Sequence, residues 1–185
     1  MKDGVECEYF SVFDGHGGVD AATYAATHLH IILSQQEALK SEMTTAFKNS
    51  FTQTDELFKI KSKRERLRSG STSVVVFLTS DCLAVAWLGD SQAMLVRQGE
   101  PVTVMDPHSP EREVTDQKSY VSNDADSSSV QLNSYENYIL MACDGFFDFV
   151  GACEVPGLVL EALREGSGSG ENTSERCLFF LQRMS

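Results

Sequence analysis

Three apolar, valine-rich runs at 73–78, 82–87 and 94–97 are separated by Thr79-Ser80-Asp81 and Gly89-Asp90-Ser91. Runs of this length bounded by turn residues read as β-strands, and connectors this short join only antiparallel neighbours. The middle of the chain is therefore expected to fold as a meander, finished by Gly99-Glu100 and a short strand Val102-Thr103-Val104. A further strand is expected at 7–13, and another at 138–143. Helical composition flanks these strands. Residues 19–33 contain no Pro or Gly. Over 37–60, Ala38, Leu39, Met43, Phe47, Phe51, Leu57 and Phe58 recur mostly at three- and four-residue steps.

The remaining segments read as connections or short helices. The basic run 59–68 is expected to be a solvated, mobile connection, and the polar stretch 106–133, with Ser127-Ser128-Ser129, a loop. A helical turn at 146–150 leads to a helix at 154–164 with Pro156 in its first turn. The run Gly166-Ser167-Gly168-Ser169-Gly170 reads as a flexible linker, followed by a final helix through Met184 capped by Asn172, Thr173 or Ser174. Strands clustered centrally with helices outside give an α+β class, with antiparallel sheets covered by helices.

A chain of 185 residues fits one domain with a real core. Its net charge of −12 disfavours nucleic acid and anionic membrane surfaces and favours divalent cations. The five cysteines are scattered without C-x-x-C spacing, which reads as reduced thiols in the cytoplasm or nucleus. The first residues carry no apolar signal region, and no stretch is apolar enough to span a bilayer.

Chemistry is expected where apolar strands end on Asp-Gly. The run Phe13-Asp14-Gly15-His16-Gly17-Gly18 places a carboxylate, an imidazole and three glycines at a sheet edge, and Ile139-Leu140-Met141-Ala142-Cys143-Asp144-Gly145 repeats the strand-then-Asp-Gly device. An Asp-Gly pair commonly just turns the chain. Two such carboxylates converging from distant parts of a chain favour a hard divalent cation, and a bridging carboxylate suits a pair of cations that activate a water. His16 can ligate a metal, act as a general acid or simply brace the glycine turn. Asp90 is either a turn residue or a third carboxylate facing the same cations. Asp148 reads as a helix-terminus residue, and His28, His30 and His108 as packing or surface residues. No nucleotide-binding glycine loop or serine-nucleophile elbow is present, and Cys143, followed by Asp144 and Gly145 with no arginine nearby, does not open a C-x₅-R thiol loop.

Together with Ser69-Gly70-Ser71-Thr72, Gly89-Asp90-Ser91-Gln92-Ala93, Pro107-His108-Ser109-Pro110-Glu111-Arg112 and Ala142-Cys143-Asp144-Gly145-Phe146-Phe147-Asp148, these runs resemble the metal-dependent PPM/PP2C family of protein serine/threonine phosphatases. They resemble in particular the branch that dephosphorylates calmodulin-dependent and p21-activated protein kinases. The resemblance implies a β-sandwich of two antiparallel sheets flanked by helices, with a cleft at one end. It implies that Asp14 bridges two Mg²⁺ or Mn²⁺ ions, that the Gly15 carbonyl binds one and Asp144 the other, that Asp90 helps hold a weaker third ion, and that His16 is the general acid. Phosphoproteins, among them protein kinases, would be partners of a monomeric enzyme.

Against the family pattern, the single domain 1–185 is expected to be truncated. It lacks the family's N-terminal strand upstream of 7–13, with its phosphate-binding arginine and a metal-binding acid, a segment after Glu113 and the closing Asp-Asn strand; Glu6, Glu8, Asp116 and Glu171-Asn172 do not replace the missing acids. Unpaired sheet edges and weakened metal sites would follow. Two functions are therefore expected from such a chain: hydrolysis of phosphoserine and phosphothreonine with a metal-activated water, or an inactive fragment that binds kinases or regulators. A general phosphoesterase for small molecules is a weaker third.

Overall fold

The computed structural model describes residues 7–108 and 123–166. In chain order the elements are β1 (Glu8–Val12), β2 (Gly15–His16), α1 (Asp20–Ser34), a 3-10 turn (Glu37–Lys40), α2 (Met43–Glu65), β3 (Gly70–Ser71), β4 (Ser73–Leu78), β5 (Cys82–Leu88), β6 (Gln92–Arg97), β7 (Glu100–Thr103), β8 (Asp126–Gln131), β9 (Glu136–Ala142), α3 (Asp144–Phe147) and α4 (Val155–Gly166). A four-stranded sheet has the order β1-β4-β5-β8 and a three-stranded sheet the order β7-β6-β9, while β2 and β3 form a two-stranded ladder. All these pairings are antiparallel.

Strand alternation sorts the apolar side chains into three layers of packing. Val74, Val76, Leu83, Val85 and Trp87 of the four-stranded sheet meet Ala93 and Leu95 of the other sheet, forming the inter-sheet core. On the opposite face, Val75, Phe77, Ala84 and Ala86 meet Leu29 and Leu33 of α1 and Phe47 and Phe51 of α2. The outer face of the three-stranded sheet, through Met94, Val96 and Leu140, packs on Phe146, Val150 and Val155. The result is a helix–sheet–sheet–helix sandwich. Each fully buried valine or leucine contributes roughly 1.5–3 kcal/mol to holding it.

Three segments depart from the sequence reading. Within the expected loop 106–133, residues Asp126–Gln131 form β8, pairing Ser128 with Val85 and Val130 with Leu83. Serines favour strands poorly, yet the backbone of buried β5 needs partners on both sides, and that need outweighs propensity. Ser128 also donates to the Val104 carbonyl, and Ser127 donates to Thr44 on α2.

The basic run expected to be mobile is instead helical as far as Glu65. Lys59 pairs with Asp55 and Lys61 with Glu65 at the (i, i+4) spacing. Arg66, at φ 59°, ends α2 in the left-handed conformation. The expected helix 37–60 is split, because Ser41 and Glu42 separate the 3-10 turn from α2.

The linker from 167 onwards, the final helix, Cys177 and the segment 109–122 lie outside the described residues. Cys7, Cys82, Cys143 and Cys153 are free thiols. Among the described residues no helix is long and apolar enough to cross a membrane.

Candidate metal centre

Asp14 stands two residues beyond β1, and the backbone around it is fixed from several directions. Its carbonyl accepts the Thr72 N–H at 2.9 Å. Gly17 adopts φ +67°, and a Cβ there would lie 3.1 Å from the Arg68 carbonyl oxygen. Only glycine meets both demands. The His16 ring lies over Gly70, where a Cβ would sit 2.4 Å from Nε2. His16 is exposed, Asp14 half-buried, and Gly15 lies exposed opposite Ser71 in the β2–β3 ladder. The neighbouring Ser69 hydroxyl accepts the Ala21 N–H at 3.1 Å, tying the start of α1 to the same turn.

Asp144 arrives from the other sheet. It stands two residues beyond the end of β9 and opens α3, with its Oδ1 accepting the Gly145 N–H at 2.7 Å. Oxygens of Asp14 and Asp144 and the Cys143 sulfur all lie within 4.8 Å of one another. Two strand ends remote in sequence, one per sheet, therefore bring their carboxylates together. Asp148, one turn further on, is exposed and directs its N–H to the Asp144 carbonyl.

Desolvation raises the Asp14 carboxyl above the ordinary carboxylate range. The hydrogen bond shared with Asp144 and the charges of Asp144 and Asp90 push it further up, while His16 pulls it down. Crowded carboxylates of this kind are a donor set that a hard divalent cation satisfies, because its charge removes the repulsion and its oxygen preference matches the ligands. The residues present fit such an ion. Cys143 adds a sulfur that the sequence reading treated as a plain core thiol; its place directly before Asp144 was the available signal.

Asp90 sits at a corner between β5 and β6, within the electrostatic reach of Asp14. Gly89 there has φ +98°, and a Cβ would come within 2.7 Å of Thr72 Cγ2. Thr72 Oγ1 and the fully buried Ser91 Oγ are 2.6 Å apart in a hydrogen bond. His108 contacts Gly89 twice and Asp126 once. Neither His108 nor Asp126 stood out as functional in the sequence pattern, since both fell in a stretch read as loop.

Beside the centre, a cavity of about 510 Å³ is walled by His16 and Asp90 together with Tyr24, Phe58, Arg68 and Ser71. Within the basic run 59–68, Lys59, Lys61 and Arg64 are engaged by Asp55 and Glu65.

The sequence profile described as Protein phosphatase 2C matches residues 2–115 and 113–184. The chain is similar to Protein phosphatase 1F of Rattus norvegicus, at 44% identity over 207 residues, covering 95% of this chain and 46% of that protein. It is similar to Protein phosphatase 1E of Homo sapiens at 39% identity, covering 95% of this chain and 28% of that protein. It thus spans less than half the length of these relatives. Among solved structures, a serine-threonine phosphatase 2C from Toxoplasma gondii superposes with a TM-score of 0.77 at 18% identity, covering 98% of this chain and 80% of that one. A C. elegans sex determining protein superposes with a TM-score of 0.72 at 25% identity, covering 83% and 47%.

Proposed function

The chain belongs to the protein phosphatase 2C family, and from that premise we propose that it hydrolyses phosphoserine and phosphothreonine in proteins with the help of Mg²⁺ or Mn²⁺. The observation that carries this reading is the meeting of Asp14 and Asp144 from opposite sheets, with donor atoms inside 4.8 Å. Asp14 and Asp144 would hold the cation, with the Gly15 carbonyl and Asp90 as additional ligands. When bound, it would supply positive charge at the phosphoryl oxygens and activate the attacking water near neutral pH.

The rest of the chemistry falls to side chains of the chain. Attack on phosphorus breaks the bond to the serine or threonine oxygen, and that oxygen leaves as a strong base needing a proton. His16, which is exposed on β2 and lines the neighbouring cavity, would donate it as the general acid. The cavity gives the polypeptide flanking the phosphoresidue room to lie beside His16 and Asp90. Phosphoproteins, protein kinases among them, are the proposed substrates of a monomeric, cytoplasmic or nuclear enzyme.

Phosphate release from a phosphothreonine peptide in Mn²⁺, measured beside release from a sugar phosphate, tests the proposal. Release that prefers the peptide and disappears in Asp14→Ala and Asp144→Ala supports it. No release, with retained binding to a protein kinase, would replace it by the binding-module function.

A further inference from the structure

The Gly89–Asp90 corner has a mechanical problem that its neighbours solve. Asp90 lies in the repulsive field of Asp14, and the residue before it is a glycine at φ +98°, free of the side chain that would hinder a peptide flip. Left alone, such a corner would turn its carboxylate away from the other acids.

His108 holds it at two points. Its backbone N–H donates to the Gly89 carbonyl at 2.9 Å, and its Nδ1 accepts the Gly89 N–H at 3.3 Å. These two contacts fix the peptide planes on both sides of Gly89, so neither can rotate. The Nδ1 acceptor role requires the proton on Nε2, and Nε2 lies 3.0 Å from Asp126 Oδ2. Asp126, at the start of β8, therefore selects the tautomer the corner needs, as an outer carboxylate does for a metal-ligating histidine. Thr72 completes the frame: its hydroxyl bonds Ser91 on the far side of Asp90, and its N–H bonds the Asp14 carbonyl.

We infer that His108 and Asp126 are positioning residues of the candidate metal centre, which clamp Gly89 so that Asp90 is held at its corner beside His16 on the cavity wall and thereby set the affinity for a divalent cation. This rests on the metal-dependent reading of the site. It gives work to the histidine and to the serine-rich strand that the sequence pattern assigned to a loop.

The test is Mn²⁺ binding to the whole chain by calorimetric titration, run as a double-mutant cycle between His108 and Asp90. His108→Ala weakens Mn²⁺ binding by about ten-fold, no more than loss of Asp90 itself and at the low end of the range found for outer partners of metal ligands. His108→Asn restores most of it, because its Oδ1 can stand where Nδ1 accepts. In an Asp90→Asn background, His108→Ala has no further effect. If His108→Ala does not fold, Asp126→Ala enters the same cycle, with a smaller loss expected. Unchanged affinity in His108→Ala, or an equal loss with and without Asp90, overturns the inference while leaving the metal centre standing. No Mn²⁺ uptake by the unaltered chain overturns the proposed function and the inference together.

Discussion

Asp14 and Asp144 differ from Asp90 in what places them. The first two are delivered by local sequence: an apolar strand, then a carboxylate and a glycine, once in each sheet. The third is held by side chains from elsewhere, with Thr72 on one flank and His108 backed by Asp126 on the other. The strand ends crowd two carboxylates together, and the protein offsets their repulsion only in part, through His16. The corner uses hydrogen bonds with Thr72 and His108 to keep a further carboxylate near them. The contrast separates two tasks, making a place for a cation and adjusting how tightly it is held.

The largest expected effect tests that separation directly. Asp14→Asn or Asp144→Asn lowers Mn²⁺ affinity by about 100-fold or more, at or beyond the top of the range for outer partners, and reduces phosphopeptide hydrolysis to background. Asp90→Asn costs only about ten-fold on the same scale. Calorimetric titration and phosphate release measure both. Equal losses at the three positions would erase the distinction between strand ends and corner.

A smaller effect concerns the backbone of the corner. Gly89→Ala forces a Cβ to within 2.7 Å of Thr72 Cγ2 at φ +98°, combining backbone strain with overpacking at about 2–4 kcal/mol. Gly99, at φ +80° with nothing within 4 Å of its would-be Cβ, is the matched control. Gly99→Ala costs only the left-handed strain, about 1 kcal/mol. Urea denaturation of the two variants gives the difference, and equal losses would mean that the corner is no tighter than an open hairpin.

The same contrast explains what the sequence made legible. Strands β1, β4, β5, β6 and β9 stood out because they are rich in apolar residues, and the Asp-Gly pairs after β1 and β9 and the Gly89-Asp90-Ser91 turn after β5 drew attention to Asp14, Asp144 and Asp90. Strand β8 did not stand out, since Asp126-Ser127-Ser128-Ser129 carries no apolar period; it becomes a strand because β5 needs a neighbour. The end of α2 looked like a charged connection because pairs such as Lys61 and Glu65 count as helix-forming only once the helix is known to continue. His108 stands within a motif that shows no task for it in the sequence, as its partners Gly89 and Asp126 lie 19 and 18 residues away. Long-range hydrogen bonds leave no periodic trace in a single sequence.

The smallest effect distinguishes the two regions by pH. In the metal-free chain Asp14 is raised, by desolvation first and then by Asp144 and Asp90, so the folded state binds its proton more tightly than the unfolded state does. Its favourable contribution is therefore complete below the unfolded carboxylate value of about 3.9 and is lost as pH rises through the higher folded value. Relative to Asp14→Asn, which cannot titrate there, the metal-free protein should lose stability between acid and mildly acid pH. Asp90→Asn should keep the same trend with a shallower slope, because it removes only one of the charges acting on Asp14. Saturating Mn²⁺ should reverse the sign, since protons then compete with the cation for the same oxygens. Thermal unfolding of the three proteins across that range, with and without Mn²⁺, measures the slopes. A metal-free slope identical in the unaltered chain and in Asp14→Asn would show that Asp14 is not the crowded carboxylate of the pair, and the strand ends would lose the property that sets them apart from the corner.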